Sequence, residues 1–256
     1  MSRPGKFRMD VDRVFPHLAN SPVVEAAIHW QASPTKPMDR DALNRELTER
    51  FSAYSLQVQQ RIVAGLTATP EGTETHQRTQ WDGFRLISAD KMHVCQMKPK
   101  SVVFSRLTPY ENWSNFIGEA ILFWDCFVEL CAPVAIERLG VRFINQMCME
   151  RSEDPSKLVN EPALKSIGLP QSSFFREDSL EVTGHPYRVN LVRATQGPQP
   201  PLMPERLLLV DIDAFTPVPT PIDKAAIEAR LKELRFLKNF VFFNFVKDSQ
   251  KRFAGD

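Results

Sequence analysis

The chain has 256 residues, of which 43% are hydrophobic and 25% charged, and its formal net charge at pH 7 is +1. These values are typical of a globular protein that can bury a large core, and the near-neutral charge argues against a dedicated nucleic-acid binder. The chain shows no apolar signal segment and no window of about 18 apolar residues, so we expect no membrane span and a cytoplasmic location.

The first part of the chain predicts strands around one helix. Residues 1–20 are expected to be an N-terminal tail or lead-in, and residues 21–256 a single α+β domain. The stretch "PVVEAAIHWQA" alternates with a period of two and predicts a strand, and "DRDALNRELTERFSAY" predicts a helix capped by Asp39. A strand at "LQVQQRIVAGL", a polar loop at "TPEGTETH", a strand at "WDGFRLIS" and two strands within "MHVCQMKPKSVVFSRL" follow.

The stretch "TPYENWSNFIGEAILFWDCFVELC" is the strongest helix signal. Thr108, Pro109 and Glu111 resemble a capping box, which predicts a helix over about 109–131. Its apolar stripe includes Trp113 and Trp124, and we therefore expect both tryptophans to be deeply buried structural residues.

The second part of the chain repeats this arrangement. After a polar connection with a short helix over residues 150–172, strands are predicted at "FFREDSLEV", "YRVNLVRAT" and "RLLLVDIDAF". Thr220, Pro221 and Asp223 then predict a final helix over about 222–243. The order favours a mainly antiparallel sheet with both long helices on one face, and two related half-units, 21–150 and 170–256.

The strand "IERLGVRFINQM" carries the candidate site. A period of two places Arg138, Gly140 and Arg142 on the polar face of the sheet, with a bare patch of backbone at Gly140. It places Asn145 on the core face, where its amide needs hydrogen-bond partners. The arginines could pair with carboxylates of neighbouring strands, such as Glu25 and Asp211. From the complementary charges we predict that the first strand lies beside the 136–148 strand and that Glu25 contacts Arg142 or Arg138. They could also line a groove for an anionic ligand or an acidic partner segment, because a guanidinium binds carboxylate or phosphate through two hydrogen bonds.

Three stretches, "SPVVEAAIHW", "LTPYENWSNFIGEAILFW" and "IERLGVRFINQM", carry a resemblance to known sequences. Their motifs are a Pro-x-x-Glu strand, a Tyr-x-x-Trp-x-x-Phe helix and an Arg-Leu-Gly-x-Arg-aromatic-Ile-Asn strand. They lie at 22–25, at 110–116 and at 138–145. In these motifs the chain resembles a sporadically distributed family of uncharacterised prokaryotic proteins of about this length. The resemblance implies no activity.

The motif content favours binding over catalysis. The chain lacks the sequence motifs of common hydrolases, kinases and dinucleotide-binding enzymes, and its cysteines and histidines are not spaced as metal ligands. We therefore expect no metal or cofactor, and a non-catalytic binding or assembly protein that acts through a protein partner or self-association. The alternative is a small-molecule or nucleotide-binding domain, or an enzyme, that uses the polar sheet face around Glu25, Arg138 and Arg142 to hold an anionic small molecule.

Overall fold

Period-two alternation of apolar and polar residues produces one large sheet, and two long amphipathic helices cover one of its faces. The computed structural model describes residues 5–69, 72–150, 153–160, 173–197 and 206–255. Its strands are β1 (Val23–Gln31), β2 (Tyr54–Thr69), β3 (Gly72–Ser88), β4 (His93–Lys98), β5 (Ser101–Leu107), β6 (Ala135–Ile136), β7 (Arg138–Met149), β8 (Phe175–Glu181), β9 (Arg188–Gln196), β10 (Arg206–Thr216) and β11 (Thr220–Pro221). Its α-helices are α1 (Arg40–Arg50), α2 (Trp113–Cys131), α3 (Lys224–Phe245) and α4 (Ser249–Arg252).

Nine strands form the main sheet in the order β2-β3-β4-β5-β1-β7-β10-β9-β8, and each neighbouring pair is antiparallel. The remaining strands, β6 and β11, pair with each other. The α+β architecture with a mainly antiparallel sheet is therefore confirmed. β1 also lies beside β7, as the complementary charges of the two strands predict, with Ala27 opposite Arg142.

Both long helices pack on the same face of the sheet, as expected. From α2, Trp124 stacks on Trp30 of β1 with ring centroids 5.7 Å apart. From α3, the ammonium of Lys238 lies over the ring of Phe143 of β7. Trp124 is fully buried, but Trp113 is only half-buried, so the prediction that both tryptophans lie deep in the core is wrong for Trp113. Trp113 is the first residue of α2, where the helix reaches the rim of the core.

The sheet order contains a repeat that agrees with the repeated strand–helix pattern of the sequence. On one side of the β1–β7 seam the order outwards is β1, β5, β4 and β3, and on the other side it is β7, β10, β9 and β8. In each half, the strand beside the central one leads into a long helix, β5 into α2 and β10 into α3. Four strands of each half therefore share one order, with β2 added at the edge of the first half. The bounds differ from the predicted half-units, because β7 lies within 21–150 but belongs to the second half.

The long helices begin later than the Thr-Pro pairs predict. The Thr108 backbone N–H donates to the carbonyl of Val24, which extends the sheet hydrogen bonding past β5. Thr220 belongs to the short strand β11 and pairs with Ile136. The side chains that cap the helices are instead those of Asn112, which accepts from the N–H of Asn115, and Asp223, which accepts from that of Ala226.

The strands β2 and β3 are longer than predicted. Their pairing continues to Thr69 opposite Gly72, so most of the predicted loop "TPEGTETH" is strand, and Pro70 and Glu71 lie outside the described residues. The predicted loop is polar and lacks the apolar alternation that identifies a half-buried strand, so the sequence did not indicate a strand there. In the polar connection, a three-residue 3-10 helix at Pro155–Lys157 is described, and residues 161–172 lie outside the described part.

No helix among the described residues is both long and apolar enough to cross a bilayer.

Candidate functional site

The two arginines of β7 lie on the helix-free face of the sheet, and Arg142 is bound by Asp211 of β10. The Arg142 guanidinium donates to both carboxylate oxygens of Asp211, with Nε at 2.9 and 3.1 Å and Nη2 at 2.5 Å. Half of the Arg142 side chain is exposed, at 52%, while only 9% of the Asp211 side chain is. This hydrogen bonding raises the pKa of Arg142, and the charges of Asp211, Asp213 and Glu25 add to the effect.

Arg138 explains the glycine between the arginines. Its guanidinium lies over the ring of Phe215, at 4.4 Å from the centroid, and donates to Asp213 at 2.7 Å. To reach both, the side chain folds back over Gly140. A Cβ at Gly140 would lie only 2.7 Å from Nη1 of Arg138 and would displace the guanidinium. The bare backbone expected at this glycine is therefore covered by the arginine itself.

Glu25 lies on the same face but binds neither arginine. Its carboxylate accepts a hydrogen bond of 2.8 Å from the hydroxyl of Ser105 on β5. In the register, Glu25 lies opposite Ile144, while Arg142 lies opposite Asp213 on the other side of β7. No ion pair between Glu25 and Arg138 or Arg142 occurs in the described part of the chain, so the predicted contact is wrong. The aspartates of β10 hold both arginines instead.

Burial shapes the protonation of the remaining members of this network. The ring of His29 lies 3.0 Å from Nη1 of Arg138, and burial together with the arginine's charge lowers the pKa of His29 to about 4. A neutral His29 can therefore accept the hydrogen bond that Arg138 donates. Burial raises the pKa of Asp213, while the charges of Arg138 and Arg142 lower it. The network matches each arginine to one aspartate.

This matching weakens the case for an anion site on the sheet face. An incoming carboxylate or phosphate would have to displace Asp211 or Asp213 from a hydrogen-bonded ion pair, and the displaced acid would lose its partner. The use of Glu25, Arg138, Gly140, Arg142 and Asp211 to bind a ligand or partner stays a prediction. What the geometry provides directly is a ladder of paired charges across β1, β7 and β10.

Asn145 lies on the core face, as predicted, and is 1% exposed. Its Nδ2 donates to the carbonyls of Val210, at 3.0 Å, and Phe143, at 3.3 Å, which fixes the orientation of the amide. Its Oδ1 is buried without a hydrogen-bond partner among the described residues. It lines a cleft whose cations, Arg235 and Lys238, were missed from the sequence because α3 was assessed only by its apolar stripe.

The described residues contain no group of three or more His, Cys, Asp and Glu side chains arranged to hold a metal ion. Cys95, Cys126 and Cys131 are buried cysteines outside any disulfide, and Cys148 is exposed. Burial raises the pKa of Cys126 and of Cys131 to about 11, which keeps both as thiols at neutral pH.

The edge strand β2 is a second candidate surface. It has 16 residues, and within the described part of the chain β3 is its only sheet neighbour. β3 in turn pairs with β4 only from Phe84 to Ile87, so residues 60–69 and 72–81 form a two-stranded ribbon beyond the body of the sheet. The ribbon carries Ile62 with 73% of its surface exposed. A free strand edge presents a row of N–H and C=O groups to a partner strand.

No protein-family model matches the chain, and no curated protein matches it. The resemblance suggested by the sequence motifs therefore stays an expectation, and the function has to be argued from geometry and chemistry.

Proposed function

We propose that the protein is a non-catalytic binding or assembly protein that acts through protein contacts, and that its edge strand β2 pairs with β2 of a second copy. The observation that carries the proposal is the unsupported ribbon of β2 and β3. A two-stranded hairpin is marginally stable in water, whereas three or more strands with an apolar face are stable. Pairing with a further strand would give residues 60–69 the neighbour that the sheet itself does not supply.

The composition of β2 supports strand pairing. Edge strands of monomers are usually short or guarded by lysine, proline, bulges or inward-pointing charges. β2 is longer than most strands, it contains no proline, lysine or acidic residue, and Arg61 is its one charged residue. A bulge between Gln59 and Gln60 is its one irregularity. With a single charge per strand, two copies can approach without a row of like charges.

A second copy is the partner that this edge fits. Two identical edges related by a two-fold axis pair antiparallel, so each strand supplies the same groups to the other and the contact closes. Exposed Val58 and Ile62 would add apolar contact on the faces of the joined ribbons.

The test compares the molecular mass in solution of the wild type with that of two variants that each gain a charge. Ile62→Lys and a matched control, Val134→Lys, replace residues of similar exposure, 73% and 78%, but Val134 lies outside β2. We expect a dimer for the wild type and the control by light scattering after size exclusion, and a shift to monomer for Ile62→Lys. A monomeric wild type at every concentration, or an Ile62→Lys dimer of unchanged stability, would overturn the proposal.

A further inference from the structure

A cleft on the helical side of the molecule lies on the opposite side of the sheet from the paired charges. Its walls come from the segment 13–23, from residues 110–113 up to the start of α2, from Phe143 and Asn145 of β7, and from one face of α3. Its volume is about 360 Å³. That volume lies within the range of small-molecule sites in proteins, about 300–1,000 Å³.

Two cations of α3 face this cleft without an anionic partner. Arg235 and Lys238 are three residues apart, so they share one side of the helix. The guanidinium of Arg235 lies 5.4 Å from the ring centroid of Trp113, and Nζ of Lys238 lies 3.6 Å from that of Phe143. Neither cation forms an ion pair with a carboxylate in the described residues. The ring of Phe143 replaces only part of the hydration that the ammonium of the half-buried Lys238 has lost.

The N-terminus of α2 adds positive potential to the same place. Asn112 and Trp113 line the cleft, and the first turn of this 19-residue helix contains no acidic residue. The first backbone N–H groups of a helix lack intrahelical partners and attract anions. Glu111 also lines the cleft, but its carboxylate is held by Arg106 at 3.1 Å and by the amide of Asn115 at 3.4 Å. The cleft therefore keeps a net positive charge.

Asn145 provides an independent sign of a missing partner. Asn145 is one of the lining residues of the cleft, and its Oδ1 is buried and without a hydrogen bond in the described residues. Rotating the amide by 180° would be costly, because Nδ2 would lose its hydrogen bonds to two carbonyls and Oδ1 would face those carbonyls instead. Buried polar atoms are nearly always satisfied, so an unpaired acceptor here calls for a donor from outside the chain.

The aromatic walls define the rest of the ligand. Trp113 and Phe143 carry the two cations on their faces, and Tyr110 packs against Phe143 with ring centroids 5.2 Å apart. Phe15 of the N-terminal segment stacks on Phe243 of α3 at 5.4 Å and forms part of the opposite wall. Tyr110 and Trp113 are half-buried, so the ring of a ligand can stack on their exposed parts, because aromatic side chains stack on planar groups.

We propose that this cleft binds a small aromatic anion, with its carboxylate or phosphate group at Arg235, Lys238 and the start of α2. The ring lies along the half-buried Trp113, and binding opens the wall at Asn145 so that a hydrogen-bond donor on the ligand pairs with its Oδ1. The site is separate from β2, so it can be present whether or not the chain forms dimers.

The test is an NMR titration of the isotope-labelled protein with two aromatic anions, AMP and indoleacetate, and with their neutral counterparts, adenosine and indole. The chain has four tryptophans, and Trp113→Phe identifies the indole N–H signal of Trp113. We expect at least one anion to shift the Trp113 signal while the signal of buried Trp124 stays in place. The neutral counterpart should bind about tenfold or more weakly, since it lacks the charged contacts.

Matched variants separate binding from folding. Arg235→Met and Lys238→Met should each weaken binding of the anion by about tenfold or more. Lys224→Met removes an exposed charge at the far end of the same helix and should bind as the wild type does. The melting temperature of Lys238→Met should be unchanged or higher, because the substitution removes a charge from an apolar place.

Four results would overturn the proposal. They are an unmoved Trp113 signal with both anions, equal affinity for anion and neutral counterpart, wild-type affinity in Arg235→Met and Lys238→Met, and binding of inorganic phosphate as tight as that of either aromatic anion. The last would show a plain anion site that makes no use of the aromatic walls.

Discussion

Asp211 has most of its side chain withdrawn from water, and Arg142 is the cation that compensates its charge. Breaking a fully buried ion pair costs about 3–5 kcal/mol, because the remaining charge is left without a partner. Arg142 is half exposed, so solvent screens the pair and we expect less, about 1–3 kcal/mol, for Arg142→Met. Urea denaturation measures this loss as a lower free energy of unfolding.

A double-mutant cycle identifies the partner of Arg142. Arg142→Met combined with Asp211→Asn should cost less than the sum of the single changes, because both remove the same interaction. Arg142→Met combined with Glu25→Gln serves as the control and should show a much smaller coupling, since Glu25 binds Ser105 and acts on Arg142 only through its charge. Additive costs for Arg142 and Asp211 would contradict the pairing seen in the structure.

The lowered pKa of Lys238 makes the stability of the protein depend on pH. Burial, and secondarily the charge of Arg235, lowers the pKa of Lys238 from 10.5 to about 7. Glu111 before α2 and Arg13 and His17 of the N-terminal segment also line the cleft. Above pH 7 the unfolded chain holds the lysine proton more tightly than the folded chain does, so the free energy of unfolding rises with pH.

The measurement compares wild type and Lys238→Met by chemical denaturation from about pH 7 to about pH 9, below the range where tyrosines ionise. The methionine variant has no such proton, so we expect the stability of the wild type relative to this variant to increase across that range. Lys224→Met should show no such trend relative to the wild type. If the difference in free energy of unfolding between wild type and Lys238→Met does not change with pH, the ammonium of Lys238 is well hydrated in the folded protein.

Among the secondary-structure elements, the helix α2 is buried more deeply at its middle than at its start. Trp124, in its middle, is buried between Trp30 and Phe127, with ring centroids 5.7 and 5.5 Å away. Trp113, at its start, is half-buried at the cleft. Trp124→Ala should lower the free energy of unfolding by about 3–5 kcal/mol.

Trp113→Ala is the comparison for this prediction. It should lower the free energy of unfolding by about 1–2 kcal/mol, because folding removes less apolar surface of Trp113 than of Trp124 from solvent. Both values come from urea denaturation curves of the variants. Equal losses at the two positions would show that the start of α2 is packed as tightly as its middle.

The strands and helices were largely predictable from sequence, but the beginnings of the long helices were not. Alternation identified β1 and β7 because each buries one face, whereas β10 was predicted as a buried strand. Thr108 and Thr220 look like caps in sequence, yet sheet hydrogen bonds engage their backbones, so the helices start at the next suitable side chains, Asn112 and Asp223. Local capping patterns cannot show which residues a neighbouring strand will bind.

At the scale of the whole molecule, the antiparallel sheet was predictable and its detailed contacts were not. Opposite charges on β1 and β7 predicted that these strands are neighbours, which is correct, although Glu25 pairs with Ser105 and Arg142 with Asp211. Side-chain partners depend on register and on the third strand, which the period of two does not specify. The cleft was invisible in sequence because its walls are four segments far apart in the chain.

The seam between β1 and β7 sets the order in which the sheet can assemble. The strands β1 to β5 form one continuous set within residues 23–107, whereas β1 and β7 join residues as distant as Val23 and Asn145. Contacts between distant residues form slowly, because a long loop must close first. We therefore expect each half to form before the seam does. Until then the inner edges of β1 and β7 are exposed, and partly folded chains are most open to mispairing and aggregation at the centre of the finished sheet.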